Sequence, residues 1–193
     1  MRVMAPTATM TILDVGVAGQ AHTARAENYL EAWYPYPAQI TAVGIEDLTE
    51  LQKRYPQVMV VQTDGKKLPF SDGQFDIVFS NAVIEHVGDT DTQRKFIAEC
   101  LRVAKRVFIT TPARTFPIEV HTLIPFVHWL PARGRNWIYR HVGRRHEAQP
   151  GYLTLLSARA LLELFPPHIQ VTIVRQRLWG LPATLIAITN VRG

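Results

Sequence analysis

Residues 11–20 read TILDVGVAGQ, and this stretch decides how the rest of the chain is interpreted. Residues 11–15 are an apolar run that predicts a strand, and Gly16 and Gly19 predict a tight turn after it. A helical pattern then continues over residues 22–33. Strand, glycine turn and helix in this order open a nucleotide-binding βαβ unit, because glycines admit a ligand close to the backbone and a helix N-terminus offers unpaired N–H groups. A tight connection that binds nothing is the alternative.

Composition indicates one globular domain. The chain has 193 residues, of which 47% are hydrophobic and 19% charged, as in an ordinary protein with a packed core. Its net charge of +5 and pI of about 9.6 are basic. Cys100 is the single cysteine, which excludes an intrachain disulfide and a multi-cysteine metal site and predicts a buried core thiol. No signal peptide and no apolar run of about 18 residues is recognisable, so we expect a cytoplasmic protein, with peripheral membrane contact as an open alternative.

Further apolar runs alternate with helical patterns along the chain. The predicted strands after the first are residues 39–45, 57–62, 75–80, 106–111, 169–176 and 183–190. Because these runs are continuously apolar, they indicate a parallel sheet covered on both faces. Residues 91–103 and 157–165 are predicted helices, the second with Ser157 as its N-cap. The short link between the last two strands favours an antiparallel pair, so we expect seven strands with the last one inserted antiparallel.

A segment at about 116–150 interrupts this alternation. It combines aromatic residues and prolines with the arginines Arg133, Arg135, Arg140, Arg144 and Arg145. One interpretation is a satellite core beneath a long connection. The other is a lid over an apolar substrate, with the arginines facing anionic lipid headgroups. His121 and His128 would share a face if this segment were helical. Without a third ligand they do not predict a metal site, and lining of a substrate pocket is the better interpretation.

Four motifs in the expected order carry a family resemblance. They read LDVGVAGQ, VGIED, QTDGKKLPF and FDIVFSNAVIEHV. The chain resembles class I S-adenosylmethionine-dependent methyltransferases over residues 11–191, in particular the type 11 group related to the ubiquinone and menaquinone methyltransferases. The resemblance implies an α/β fold: a Rossmann-like three-layer αβα sandwich with a seven-stranded, mostly parallel sheet whose last strand is antiparallel. Residues 1–193 would form a single methyltransferase domain carrying the 116–150 insertion.

The resemblance also implies the cofactor site. S-adenosylmethionine would bind through its methionine part at the glycine loop, through its ribose at an acid after the second strand, and through its adenine at an acid after the third. The implied residues are Asp14, Gly16, Ala18 and Gly19 for methionine, Glu46 or alternatively Asp47 for ribose, Asp64 with Gly65 for adenine, and Ser80 and Asn81 after the fourth strand.

The chain departs from the family pattern at two places. The usual three alternating glycines are here Gly16, Ala18 and Gln20, with Gly19 displaced, and Gly44 stands where the ribose acid usually lies. Glu46 points to the same side of the strand as residue 44, because side chains alternate. These departures concern cofactor affinity more than the fold.

Glu85 and His86 are the candidate catalytic pair. A histidine beside a carboxylate can serve as a general base near neutral pH. The alternative is that both side chains hold the loop by hydrogen bonds to the backbone.

The sequence thus predicts a methyltransferase that acts on a small or lipid-like acceptor and forms S-adenosylhomocysteine. Two alternatives stay open: a catalytically idle cofactor-binding module, and an RNA methyltransferase suggested by the basic pI. Nucleic acid is the less favoured partner, because the basic residues are mixed with apolar ones and no stacking platform is evident. The acceptor atom and the oligomeric state are not predicted.

Overall fold

The computed structural model describes residues 4–19, 28–63, 67–145, 147–149 and 152–189. In this part of the chain seven strands form one sheet in the order β3-β2-β1-β4-β5-β7-β6. The strands are β1 Ile12–Val15, β2 Ile40–Gly44, β3 Met59–Gln62, β4 Phe75–Asn81, β5 Ala104–Pro112, β6 Val171–Leu178 and β7 Leu181–Thr189. Strands β1 to β5 pair in parallel, and β7 is antiparallel to both β5 and β6. The predicted topology is therefore confirmed.

The connection between the last two strands is shorter than predicted, because β6 ends later and β7 begins earlier. Only Trp179 and Gly180 separate β6 from β7, and both have positive φ, at 52° and 79°. Two residues of positive φ form the hairpin turn that matches the right-handed twist of paired strands. The turn residues leave little sequence signal here, because tryptophan is not typical of such a position.

Helices connect the strands on both sides of the sheet. The α-helices are α1 Tyr29–Trp33, α2 Thr49–Arg54, α3 Thr90–Val103, α4 Ala132–His141 and α5 Ala158–Leu162, and 3-10 helices span Pro37–Gln39, Ile84–His86 and Val127–Trp129. Ser157 caps α5 as predicted, since its hydroxyl accepts from the Ala160 N–H at 3.1 Å. The first part of the predicted 22–33 helix lies outside the described residues.

The sheet separates two cores. Leu13 on one face packs in a cluster with Ile97 of α3 and Leu161 of α5, whereas its neighbour Ile12 packs in a second cluster with Leu51 of α2. Alternating side chains of one strand thus enter opposite cores, which confirms the three-layer arrangement. Cys100 is completely buried in the first cluster, and burial raises the pKa of its thiol, as expected for a core residue.

The two ends of the segment between β5 and α5 lie beside each other at the end of β5. Ala113 forms an isolated parallel bridge with Leu156, and the Arg114 N–H donates to the Leu156 carbonyl at 3.0 Å. Within the segment, Val127 and Tyr139 are buried in a small cluster of their own. No helix in the described ranges is long and apolar enough to cross a membrane.

Candidate active site

The candidate site lies at the carboxyl ends of β1, β2 and β4. The order of strands reverses between β1 and β4, since the chain moves outward from β1 to β3 and then returns to β4 on the other side. Ligands of open parallel sheets bind at such a reversal. The first glycine loop follows β1 and the candidate catalytic pair follows β4, so the sheet brings both to one edge.

The glycine loop is tied to β2. The backbone N–H groups of Gly16 and Val17 both donate to the Val43 carbonyl, at 2.8 and 3.0 Å. Gly16 has φ of +96°, and an added Cβ would collide with the Val83 side chain. Glycine is therefore required here both for the backbone conformation and for the close approach of the loop that follows β4.

We expect Gly16→Ala to destabilise the protein by about 2–4 kcal/mol, because backbone strain and a steric collision act together. Gly73→Ala is the matched control, since Gly73 also has a positive φ, +64°, but an added Cβ would meet no atom within 4 Å. We expect the control to lose only about 1–2 kcal/mol. Chemical denaturation measures both values, and equal losses would contradict close packing of Gly16 against Val83.

Asn28 holds the middle of the loop, a role that the sequence did not reveal. Its Oδ1 accepts from the Ala18 N–H at 3.1 Å, and its Nδ2 donates to the Ala18 carbonyl at 3.0 Å. The side chain is almost fully buried at the start of α1. The side chain of Asn28, ten residues away in sequence, thus fixes the position of Ala18.

The displaced Gly19 and the missing acid at Gly44 have steric explanations. An added Cβ on Gly19 would collide with the Asp47 carbonyl oxygen, and one on Gly44 would collide with the Val17 carbonyl oxygen. The loop therefore occupies the space that a side chain at position 44 would need. Glu46 contacts the loop instead, since its Oε2 accepts from the Gly19 N–H at 3.1 Å.

Asp47, the alternative ribose ligand, has a structural contact. Its Oδ1 accepts from the Thr49 N–H at 2.9 Å and from the Thr49 hydroxyl at 2.6 Å, which organises the start of α2. These hydrogen bonds lower the pKa of Asp47. Asp64 and Gly65, predicted for adenine, lie outside the described residues.

Asp14 faces a second buried carboxyl group, that of Glu31 on α1. Only 5% of Asp14 and 4% of Glu31 is exposed. Burial raises the pKa of Asp14 well above its ordinary value, and the neighbouring Glu31 raises it further. Burial raises the pKa of Glu31 as well. Among the described residues no cation pairs with either carboxyl group, so this position is suited to a positively charged ligand.

The end of β4 is held to its neighbours on both sides. Ser80 is completely buried and donates to the Val15 carbonyl at 3.0 Å. The exposed Asn81 accepts from the Thr110 hydroxyl at 2.6 Å. Ala82 follows with a φ of +55°, a strained conformation for a residue with a Cβ. The β4 loop is thus fixed in position by neighbouring strands, while the contacts of Ser80 and Asn81 with a cofactor stay a prediction.

Glu85 is a fully buried carboxyl group in the 3-10 helix after β4. Its Oε2 accepts from the Thr111 hydroxyl at 2.9 Å, whereas Oε1 has no hydrogen-bond partner among the described residues. Burial raises the pKa of Glu85 to about 7. Its own carbonyl accepts from the Thr154 N–H at 2.8 Å, which docks the segment before α5 onto this loop.

His86 belongs to a chain of polar groups that reaches into the insertion. Its Nδ1 lies 3.1 Å from the Tyr152 carbonyl, and its Nε2 lies 3.0 Å from Nε2 of His121. Nδ1 of His121 in turn lies 2.7 Å from Oε1 of Glu119. Both ring nitrogens of His86 are therefore engaged, and burial lowers its pKa. In this arrangement both ring nitrogens of His86 face protein groups, the Tyr152 carbonyl and His121, rather than a position for a methyl acceptor.

Glu119 ends the series of polar groups that begins at His86. The sequence alone did not identify it. It is 1% exposed and accepts hydrogen bonds from the backbone and side chain of both His121 and Thr122, at 2.6–2.8 Å. Burial opposes its ionisation, yet these contacts lower the pKa of Glu119 to about 2. Its position two residues before a histidine was the available signal.

His121 and His128 do not form the helical pair considered from their spacing. Residues 121–126 form no helix, and Pro125 among them forms an isolated antiparallel bridge with Ile118. His128 lies in the 3-10 helix Val127–Trp129, and its Nε2 lies 3.1 Å from the Arg114 carbonyl. His86, 35 residues away, is the histidine that contacts His121.

Comparisons with known proteins find similarity to methyltransferases. Residues 13–107 match a family model described as a methyltransferase domain. Two probable S-adenosylmethionine-dependent methyltransferases from strains of Mycobacterium tuberculosis are 35% identical to the chain over 81 residues. That alignment covers 39% of this chain and 28% of each relative, so the chain spans less than a third of their length.

Solved structures support the same fold. A SAM-dependent methyltransferase from Aquifex aeolicus aligns with a TM-score of 0.54 at 17% identity, over 93% of this chain and 81% of that one. One from Methanosarcina mazei aligns with a TM-score of 0.57 at 16% identity, over 96% and 94%. Magnesium protoporphyrin IX methyltransferase from Synechocystis, with bound SAH, aligns at 0.59 and 12% identity, over 95% and 74%. By the match over residues 13–107 and by its fold, the chain is similar to methyltransferases of the type 11 group of class I, and these similarities support S-adenosylmethionine as its cofactor.

Proposed function

We propose that this chain transfers a methyl group from S-adenosylmethionine to a small or lipid-like acceptor and releases S-adenosylhomocysteine. The observation that carries the proposal is the pair of buried carboxyl groups, Asp14 and Glu31, beside the glycine loop. S-adenosylmethionine carries an ammonium group and a sulfonium centre, so its methionine part provides the cation that these groups lack. A merely structural loop would have no need for two buried carboxyl groups that no cation pairs with among the described residues.

The remaining cofactor contacts follow from this placement. With its methionine part at Asp14 and the glycine loop, the ribose comes to the end of β2, where Glu46 is the proposed ligand. Glu46 accepts from the Gly19 N–H, so the same carboxylate would link the loop and the ribose position. Asp64 with Gly65 for adenine, and Ser80 with Asn81 beside the methyl group, complete the proposal.

The acceptor is proposed to enter from the insertion side. A cavity of about 190 Å³ is lined by Arg114, Arg135, Tyr139 and Thr154, among others. Thr154 is hydrogen-bonded to the Glu85 backbone, so this cavity adjoins the proposed catalytic pair Glu85 and His86. Its polar lining suits the head of an acceptor, while the chemistry takes place toward β4.

The outer surface of the insertion supports a lipid-like acceptor. Large apolar side chains that are 41–61% exposed lie here: Leu123, Phe126, Trp129, Leu130 and Trp137. Exposed arginines accompany them at positions 133, 140 and 145. Aromatic side chains next to cations favour the interface of an anionic membrane. We propose that this surface, the aromatic–arginine surface, brings the domain to its acceptor.

Cofactor binding is the first test. Isothermal titration of the protein with S-adenosylmethionine and S-adenosylhomocysteine is expected to give micromolar dissociation constants, about −8 kcal/mol at 1 μM, and Asp14→Asn is expected to weaken both. No binding at millimolar ligand would overturn the proposal and favour the idle module.

Vesicle flotation tests the lipid part. We expect the protein to float with anionic vesicles and to remain unbound with zwitterionic ones. Trp129→Ser combined with Phe126→Ser should reduce flotation at least fivefold, because both side chains are exposed. Trp33→Ser is the matched control, since Trp33 is 72% exposed but lies outside the insertion. Equal flotation of all variants would contradict a membrane-binding role of this surface.

A methyl-transfer assay tests the RNA alternative. Methyl transfer to RNA but not to lipid or small-molecule extracts would favour it.

A further inference from the structure

We propose that Glu85, His86 and His121 form a binding site for a first-row divalent transition metal ion. One potential ligand atom from each residue lies within 4.8 Å of the other two. The Nε2 atoms of the two histidines are 3.0 Å apart. The residues come from the β4 loop and from the insertion, so the site exists only in the folded protein.

The orientation of His86 leaves Nε2 as the ligand atom. A carbonyl oxygen can only accept a hydrogen bond, so Nδ1 of His86 must donate to the Tyr152 carbonyl, 3.1 Å away. In a neutral imidazole the other nitrogen then carries the lone pair. Histidines that bind metals are typically oriented in this way, with the second ring nitrogen held by a carbonyl or carboxylate.

The second ring nitrogen of His121 is held by a carboxylate rather than by a carbonyl. Its Nδ1 contacts Oε1 of Glu119 at 2.7 Å. Glu119 is itself held by the Thr122 N–H and hydroxyl, at 2.7 and 2.6 Å. A buried carboxylate that orients a histidine is the usual support of a metal ligand, and it increases the basicity of the coordinating nitrogen.

Glu85 provides the oxygen ligand. Its Oε2 is held by the Thr111 hydroxyl, while Oε1 is buried without a partner in the described part of the chain. An unpartnered carboxylate oxygen in a protein interior is costly, and a bound cation removes that cost. Each of the three ligand residues is thus fixed by an outer group: Tyr152, Glu119 and Thr111.

The ligand set decides the class of ion. Two imidazoles and one carboxylate suit Zn²⁺, Mn²⁺, Fe²⁺ or Co²⁺, whereas Mg²⁺ and Ca²⁺ prefer sites made of oxygen. Tetrahedral Zn–N bonds of about 2.05 Å would separate the two nitrogens by about 3.3 Å. The histidine pair, with its Nε2 atoms 3.0 Å apart, therefore needs to open by only about 0.3 Å.

The site would give the methyl transfer its nucleophile, an inference that rests on the proposed function. Three protein ligands leave a position open for an acceptor hydroxyl, whose proton is lost to water when the ion lowers its pKa. The alkoxide oxygen then forms a bond to the methyl carbon. The methyl–sulfur bond breaks, its electron pair goes to sulfur, and the sulfonium becomes the neutral thioether. The acceptor is accordingly an alcohol or phenol.

Metal titration without cofactor or acceptor tests the site. The untagged protein, freed of metals with a chelator, is titrated with Co²⁺ and followed by its ligand-field absorption, and with Zn²⁺ and Mg²⁺ by calorimetry. We expect one Co²⁺ or Zn²⁺ per chain and at least tenfold weaker binding of Mg²⁺. His86→Ala, His121→Ala and Glu85→Gln should each weaken Co²⁺ binding at least tenfold. His168→Ala is the control, since His168 is exposed and distant in sequence from these residues.

Binding of S-adenosylmethionine to each variant separates this inference from the proposed function. A folded variant that retains cofactor affinity but loses Co²⁺ supports the metal site. Glu85→Gln remains informative if the histidine variants fail to fold, because its amide oxygen can still accept from Thr111. Absence of Co²⁺ and Zn²⁺ binding, or binding unchanged in all three variants, would overturn the site even if the cofactor binds normally.

Discussion

Glu31→Gln is expected to stabilise the cofactor-free protein by about 1–2 kcal/mol and to weaken S-adenosylmethionine binding at least tenfold, or about 1.4 kcal/mol. The reason is the contact between two buried carboxyl groups, Asp14 and Glu31. An amide at position 31 can donate a hydrogen bond to Asp14, which removes like-charge repulsion. It also removes half of the negative charge proposed to bind the methionine ammonium group. Opposite changes in stability and affinity are typical of a strained binding site.

The same pair predicts how stability and affinity depend on pH. Both folded-state pKa values are raised, so the folded protein holds these protons more tightly than the unfolded chain does. The stability that the protonated pair contributes is present below the ordinary carboxyl range, about pH 4, and is lost as pH rises through the raised values. The cationic cofactor prefers the ionised pair, so its affinity should rise over the same window.

Chemical denaturation and calorimetry across this pH range measure both quantities in the native protein and in Glu31→Gln. Glu50→Gln is the control, because Glu50 is exposed and forms an ion pair with Lys53 on the surface of α2. If Glu31→Gln destabilises the cofactor-free protein and leaves affinity unchanged, Glu31 has a packing role and the proposed ammonium contact is wrong.

Glu119→Ala is expected to lower the turnover number at least 100-fold while S-adenosylmethionine affinity changes less than threefold. The substitution leaves His121 without its carboxylate and removes two hydrogen bonds from Thr122. His121 would then lose the orientation that places its Nε2 against His86. The cofactor contacts proposed at β1 and β2 involve none of these groups, so binding and turnover should separate.

Glu119→Gln is the gentler variant, since its amide oxygen still accepts from the Thr122 N–H and hydroxyl while the charge is gone. We expect an intermediate loss of turnover, roughly tenfold. Glu163→Gln is the control, because Glu163 is exposed directly after α5 and forms an ion pair with Arg159 at 2.7 Å rather than contacting a histidine. Normal turnover in folded Glu119→Ala would show that the histidine chain has no part in the reaction.

The sequence predicted those parts of the molecule that depend on local pattern. Apolar runs placed all seven strands, and the short link before β7 predicted its antiparallel insertion. Strand ends shifted by a few residues because a turn such as Trp179–Gly180 depends on backbone conformation rather than on residue type. Motif order also placed Asp14, Gly16 and Glu46 at one edge of the sheet.

What the sequence did not reveal depends on contacts between distant residues. Glu31 appears as an ordinary helix acid until α1 packs against the end of β1. Glu119 appears as a loop acid until the insertion returns to the β4 loop, and His86 meets His121 across 35 residues. The absent acid at Gly44 is explained only by the Val17 carbonyl that lies above it. Such pairings arise from tertiary packing, and neither the periodicity nor the motif spacing of a sequence contains information about it.

The bridge between Ala113 and Leu156 joins the two ends of the excursion that contains the insertion. The excursion begins and ends at residues that bridge each other, so its two ends are close together. Lengthening a loop with fixed ends costs only about 0.6 kcal/mol per doubling, and the pairing of β5 with β7 involves no residue of the excursion. We therefore expect that the excursion of a relative can be grafted between residues 113 and 156 without loss of the sheet. The acceptor role proposed for the insertion predicts a changed acceptor specificity in such a graft, which a methyl-transfer assay measures.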